Sequence, residues 1–401
     1  MTPHRDSSSS SLQPENARRA LCLAVALAAT CCVLAWQALT VHYTYHGNWT
    51  GLFCTGSEFK PVPAPLRSEN IYIFQGKTGY DGQEYHYIAH DPLMRRGFSA
   101  SLENARFRYR RILVEGLAFL LAFGRDRAID TAYFSVIAGF ILLGSYWLAR
   151  FSVKFGYSAW LGLLFPLVPA VLASIDRMVV DAPLAACSVA FALYTRERSP
   201  WKLYAVLVAA ALTRETGLLL IAAYALYLLS ERRLKAAVVF STAAVPTLGW
   251  YAFVHLHTGP GPTGFISLVP LAGLIGRMIH PVVYHYSAAA NALLYALDYL
   301  ALGGVVAALV WAFRLAYQRV WNPVAVAIYL FAALTIALGP GDPWVEVLAF
   351  GRSLTPLFLL IALEGLPAGQ VTAALPIAAM DPRIVLEMGR QVFNVVHGIL
   401  R

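Results

Sequence analysis

Charge is what this sequence has least of. Only 13% of its 401 residues are Asp, Glu, Lys or Arg, about half the share in a soluble globular protein. So few charges cannot cover the surface of a water-soluble chain of this size. That excludes an ordinary cytosolic enzyme, a disordered chain and a nucleic-acid binder. Acids are the scarcer sign, 22 against 31 Lys and Arg, for a net +9. In a hydrophobic chain such an excess arises from the cytoplasmic Lys and Arg that set topology. There are five cysteines. Cys22, Cys31, Cys32 and Cys187 sit in apolar runs, leaving Cys54 without an obvious partner, so no disulfide framework is expected. Neither a P-loop nor a Gly-x-Gly-x-x-Gly fingerprint occurs, so no nucleotide-binding fold is indicated. Internal repeats are also lacking, which counts against a secondary transporter.

What the chain does have is apolar length. Hydrophobic residues make up 58% and mean hydropathy is +0.58. Residues 1–17 read as a disordered cytoplasmic arm. Arg18 and Arg19 then precede an apolar run over 20–39, long enough for a full span and too long for a signal-peptide core. Further runs lie at 112–123, 129–149, 157–175, 178–195, 201–213, 217–230, 235–254, 286–313, 321–338 and 353–367. The run at 112–123 is only about a dozen residues, the length of a re-entrant segment rather than a span. Taken so, Arg150/Lys154, Arg196/Arg198/Lys202, Arg232/Arg233/Lys235 and Arg314/Arg319 all fall in the cytoplasm, as the positive-inside rule requires. The expected fold is an all-α polytopic membrane protein. It has about ten transmembrane helices, re-entrant and juxtamembrane helices in a large first outer loop (41–128), and both ends inside. The membrane domain covers 18–367, and 368–401 is expected to be a cytoplasmic interfacial tail with an amphipathic pattern.

This topology turns every loop with unusual polar chemistry outward. The first outer loop carries Gly79-Tyr80-Asp81-Gly82-Gln83-Glu84-Tyr85-His86-Tyr87-Ile88-Ala89-His90-Asp91-Pro92. The two glycines permit a tight turn, and the spacing after Gln83 predicts a helix ending before Pro92. Asp81 is then a general base or charge stabiliser, or simply an N-cap. His86 and His90 share a helix face, with Asp91 adjacent, a pattern compatible with a divalent metal. Arg106, Arg108, Arg110 and Arg111 form a basic run suited to phosphate, whether of a lipid-linked donor or of ordinary head groups. Thr213-Arg214-Glu215-Thr216 joins two short spans, and an ion pair there belongs in a cavity rather than in lipid. Asp176-Arg177 and Asp181 open another helix at the outer surface; capping accounts for Asp181 but not for the other two. Arg352 begins the last span. Asp298, deep in an apolar run, requires an interior partner.

The order of these features resembles the membrane-embedded GT-C glycosyltransferase superfamily. More narrowly, Tyr80-Asp81-Gly82-Gln83 with Tyr85, Tyr87, Ile88, Ala89, Asp91 and Pro92 resembles a bacterial group labelled for cell-surface glycopolymer formation. Arg108-Tyr109-Arg110-Arg111-Ile112-Leu113 and Leu212-Thr213-Arg214-Glu215-Thr216-Gly217 belong to the same likeness. The resemblance implies an outer-face, periplasmic glycosyltransferase in the bacterial inner membrane. It would transfer a hexosyl or pentosyl unit with inversion from a polyprenyl-phosphate sugar to a surface glycan, glycolipid or protein. Carried across, Asp81 matches the first-loop acid, and Asp176 or Asp181 the second. Tyr80, Gln83, Arg110, Arg111, Arg214, Glu215 and Arg352 are the expected substrate-binding residues. No second acid follows Asp81, since position 82 is Gly, so metal dependence is left open, with His86, His90 and Asp91 the nearest ligands. The competing expectations are a lipid-linked glycan flippase or transporter and a non-catalytic subunit of a surface-polymer assembly.

Overall fold

In a computed structural model of the chain, residues 15–261 and 265–401 are described. The expected arm at 1–17 lies almost wholly outside them; its last three residues already belong to the first helix. That helix, α1 (Glu15–Thr44), has 30 residues, about 45 Å at 1.5 Å per residue and ample for a hydrocarbon core of about 30 Å. The outer segment that follows is folded. It holds a short parallel pairing of β1 (Thr55–Gly56) with β2 (Ile73–Phe74), then α2 (Asp81–His90), α3 (Ala105–Tyr109) and α4 (Leu113–Leu121). With 9 residues, α4 is about 14 Å long and cannot cross, in keeping with a half-helix at 112–123.

Then come α5 (Asp126–Lys154) and a 3-10 segment, Ala159–Leu167, leading into α6 (Pro169–Arg177). These two meet at a 58° bend. Val168 before Pro169 is extended, because the proline ring disfavours a helical residue in front of it. The run expected as one span over 157–175 is therefore broken. Next are α7 (Asp181–Glu197), α8 (Pro200–Thr213), α9 (Leu218–Ser230), α10 (Leu234–Ser241), α11 (Val245–His257), α12 (Ala272–Ile279), α13 (Ala288–Tyr317), α14 (Pro323–Ala337), α15 (Val347–Gly365), α16 (Leu375–Glu387) and α17 (Gly389–Ile399).

Among the described residues five helical stretches are long and apolar enough to cross a membrane: α1, α5, Leu234–His257, α13 and Val347–Ala368. The bent pair makes a sixth, and α8, α9 and α14 are shorter apolar helices. The molecule is thus all-helical and membrane-like. At its centre, α7 is buried on every side from Asp181 to Tyr194. Its alanines (Ala182, Ala185, Ala186, Ala190, Ala192) let α5, α6, α8 and α15 approach closely, the small-residue packing that apolar helices use where no water is expelled.

The C-terminal segment departs from expectation. α16 runs antiparallel to α15: Gly365 lies against Ala373, and Gly351 against Met380 and Ile384. Glu387 then pairs with Arg177 at 3.2 Å, Asn394 donates to Thr44 at 3.4 Å, and Gly398 packs on Tyr43. Residues 375–399 therefore return to the end of the bundle where α1 stops. They do not form an interfacial tail at the end of the bundle where α1 starts. The amphipathic pattern over 384–399 registers one buried face and does not say whether lipid or protein covers it.

Candidate functional site

Asp81 is the first residue of α2, behind an extended Tyr80 that provides no side-chain cap. Its carboxylate does not turn back to the helix amides. One oxygen accepts from Arg108 Nη2 at 2.7 Å and the other from Arg352. Asp181, first residue of α7, accepts from Arg214 and, at 3.4 Å, from Arg352 Nη1. One guanidinium thus joins two carboxylates 100 residues apart in the chain. Capping, the expected reading of Asp181, does not describe it: its oxygens are engaged by arginine.

Local sequence makes this approach feasible. Gly79 has φ of +80°, and a Cβ there would lie 2.6 Å from the Cys54 carbonyl oxygen. At Gly82 a Cβ would lie 2.1 Å from the Arg177 carbonyl oxygen. The first turn of α2 therefore presses on the α6–α7 junction because residue 82 has no side chain, and this sets Asp81 beside Asp181.

A second layer surrounds the pair. Arg108 also meets Glu84 at 2.5 Å, and Glu84 accepts from the Glu103 amide at 2.7 Å. Arg111 grips Glu215 with two bonds, 3.1 and 2.7 Å, and donates to the Tyr85 hydroxyl at 2.7 Å. Tyr80 is flanked by the guanidiniums of Arg177, 4.3 Å from its ring centre, and Arg352, 5.1 Å away. Burial alone pushes the Asp81 carboxyl upward, but Arg352 and Arg108 outweigh it and hold the group well below the usual carboxylate range. For Glu84, burial prevails over Arg108 and raises its carboxyl.

Tyr80, Asp81, Arg108, Arg111, Arg214, Glu215 and Arg352 from this group wall a cavity of about 740 Å³. Its lining combines Arg106, Arg108, Arg110, Arg111, Arg214 and Arg352 with the acids Asp81, Glu103, Glu215, Asp342 and Glu346 and with apolar side chains such as Ile266, Leu334, Leu338, Val345, Ala349 and Leu354. Arg110 stacks over Tyr251 at 5.3 Å and has no carboxylate partner among the described residues. Arg106 binds the Thr258 carbonyl at 2.6 Å, tying α3 to the end of α11.

Of the residues expected from sequence, Tyr80, Asp81, Arg110, Arg111, Arg214, Glu215 and Arg352 line this cavity, and Asp181 lies buried behind it on Arg214 and Arg352. Others are not. Asp176 faces away, bound to Arg177 at 3.2 Å and Gln391 at 2.9 Å, so of the two alternative second acids only Asp181 joins Asp81. Gln83 spends its amide on the Gly56 N–H and the Thr78 carbonyl, both at 3.1 Å, pinning the loop. Asp91 accepts from the amides of Arg95, Arg96 and Phe98 and closes the turn after α2. It is not with His86 and His90, which point to α5. Arg108 stood out only as part of the basic run, not as a partner of Asp81, and the roles of Glu84 and Tyr85 were not foreseen. Helical phase would have found the last two, one turn above Asp81 on the same face. Asp298 has its interior partners: Arg277 at 3.0 Å, Arg383 at 2.9 Å and Tyr284 at 2.7 Å.

The chain matches no protein-family model, no curated protein and no solved structure.

Proposed function

We propose that this protein is a membrane glycosyltransferase that takes a sugar from a polyprenyl-phosphate donor, on the side of the membrane where Asp81 lies, assigned to the periplasm. The observation that carries this reading is the cavity lined by Asp81, a row of arginines and a set of apolar side chains, in which Arg352 contacts both Asp81 and the buried Asp181 behind it. A lipid phosphate has both counterparts, an anionic head and a hydrocarbon tail. About ten crossings follow if the bent pair, α7 and the shorter apolar helices each count as one. The basic clusters at Arg150/Lys154, Arg196/Arg198/Lys202 and Arg232/Arg233 then lie at the end remote from Asp81, the cytoplasmic end by the positive-inside rule.

The chemistry follows from charge. An acceptor hydroxyl oxygen attacks the anomeric carbon from the face opposite the phosphate. The carbon–oxygen bond to phosphate breaks and its electron pair leaves with the phosphate. Arg110, with no carboxylate partner, meets the growing negative charge, the kind of fixed stabilisation that dominates such steps. Asp81 orients the hydroxyl and takes its proton. In the ion-paired arrangement it is a weak base. A donor phosphate competes for Arg108 and Arg352, and each guanidinium drawn off raises the basicity of the carboxylate. Asp298, deep in the long apolar run of α13, is saturated by Arg277, Arg383 and Tyr284 and lends no support to a transport path.

The test is transfer of radiolabel from polyprenyl-phosphate hexose and pentose donors by the purified protein in lipid nanodiscs. Wild type is expected to consume donor. Asp81→Asn is expected to be slower by about 100-fold or more, the usual scale for a lost proton acceptor. Full activity in Asp81→Asn would remove the role given to the aspartate.

A further inference from the structure

The opposite face of α2 carries a separate group of side chains. At about 100° per residue, Asp81, Glu84, Tyr85 and Ile88 fall on one side of the helix. His86 and His90 fall about 140–180° from Asp81, against α5. Both imidazoles are fully buried. His86 Nε2 is 2.8 Å from Asp130 Oδ1, and His90 Nε2 is 3.5 Å from the same oxygen. Glu69, from the loop before β2, brings its carboxylate to them: ligand atoms of Glu69, His86 and His90 all lie within 4.8 Å of one another. Glu69 has no ion-pair partner among the described residues.

We infer that Glu69, His86, His90 and Asp130 form a divalent-cation site of the zinc type, clamping the outer loop to α5. Two imidazole nitrogens with two carboxylate oxygens are a donor set suited to zinc. Ligand atoms around a tetrahedral zinc lie about 3.3 Å apart, given bonds of about 2.0–2.1 Å, so Glu69, His86 and His90 need only a small inward movement, and Asp130 Oδ1 already stands 2.8 and 3.5 Å from the two imidazoles. The surroundings are those of a metal site. His90 Nδ1 is 2.9 Å from Asp126 Oδ1; as a donor there it leaves Nε2 bare as a ligand, the carboxylate–histidine–metal relay that fixes the tautomer. Asp126 is held in turn by Arg96 through two bonds, 2.6 and 3.0 Å. Phe53 stacks on the His86 ring at 4.1 Å and 7°, locking its orientation. Charge agrees: Glu69, Asp126 and Asp130 carry three negative charges against Arg96, and a dication makes up the difference with both imidazoles neutral. The partial exposure of Asp130 (25%) and Asp126 (36%) gives the ion a way in.

The site takes no part in the proposed transfer chemistry and stands or falls apart from it. The full-length, untagged protein, stripped with chelator in detergent, is titrated with zinc alone and, separately, with cobalt as a spectroscopic probe. One zinc per chain is expected, with a rise in Tm and tetrahedral cobalt bands in the visible. Glu69→Gln, at a half-buried loop position that should fold normally, and His90→Gln are each expected to weaken zinc binding at least about 10-fold. Asp81→Asn is expected to bind like wild type. Folded wild type that takes up no stoichiometric zinc, or equal affinity in Glu69→Gln, would overturn the proposal; in that case the imidazoles serve as protonated partners of the aspartates.

Discussion

At the scale of single residues, Arg352 is the junction of the site. It contacts both Asp81 and Asp181 and is itself only 10% exposed. Removing one partner of a buried ion pair strands the other and costs about 3–5 kcal/mol. Arg352→Gln is therefore expected to lower Tm sharply, and the double variant with Asp81→Asn to lose clearly less than the two single losses added together. A thermal-melt double-mutant cycle checks this; simple additivity would mean that the two groups do not interact. Asp81 also fixes a pH dependence. Its folded pKa lies below the ordinary aspartate value of about 3.9, under the influence of Arg352 and Arg108 against burial. The stability it contributes is complete above that ordinary value and is lost only as pH falls through the lower folded one. Thermal stability of the donor-free protein measured between pH 5 and 8 should thus show no step that Asp81→Asn abolishes. The sequence placed acids and arginines at the membrane edge but not their pairings. Arg108 stood out only as one of a run, because nothing local says which guanidinium turns toward Asp81. Conversely, Gln83 and Asp91 look functional from their neighbours, yet both satisfy backbone groups.

Elements tell a similar story. α2 was legible in full: a glycine-flanked start, a period after Gln83, and an end before Pro92. The short α4 was legible from length alone. The bend at Val168 was signalled by Pro169, but an unbroken apolar run over 157–175 hid it. The contact that most depends on one atom is Gly82 against the Arg177 carbonyl oxygen, where an added Cβ would sit at 2.1 Å. Overpacking of this kind costs about 1–3 kcal/mol, and backbone cannot yield as a flexible side chain does. Gly82→Ala is expected to shift α2 off the α6–α7 junction, lowering Tm by several degrees and impairing donor turnover more than donor binding. Unchanged turnover in a variant with lowered Tm would separate the packing of α2 from the geometry of the cavity.

For the molecule as a whole, the proposed orientation puts Arg150/Lys154, Arg196/Arg198/Lys202 and Arg232/Arg233 on the cytoplasmic side and the cavity on the other. Orientation is read by cysteine labelling in intact cells: a cysteine at position 81 should react with an impermeant maleimide from outside, and one at position 154 only after permeabilisation. The reverse pattern would invert the assigned topology. Hydropathy located the long apolar stretches of this bundle but missed the short α12, and it could not tell a helix against lipid from one wrapped by protein. α7 is of the second kind, and its burial on all sides is a property of its neighbours.

The same limitation concealed the route of the last 27 residues, and that route has a practical outcome. Because α16 doubles back along α15 and α17 ends beside Tyr43, a reporter protein fused behind Arg401 would share the compartment of Asp81, and one fused ahead of α1 would not. With Asp81 on the periplasmic side, as proposed, periplasmic reporters such as an alkaline phosphatase are expected to work from the carboxyl end and fail from the amino end. A bulky fusion at the carboxyl end would also strain the Gly398–Tyr43 contact unless a spacer relieved it.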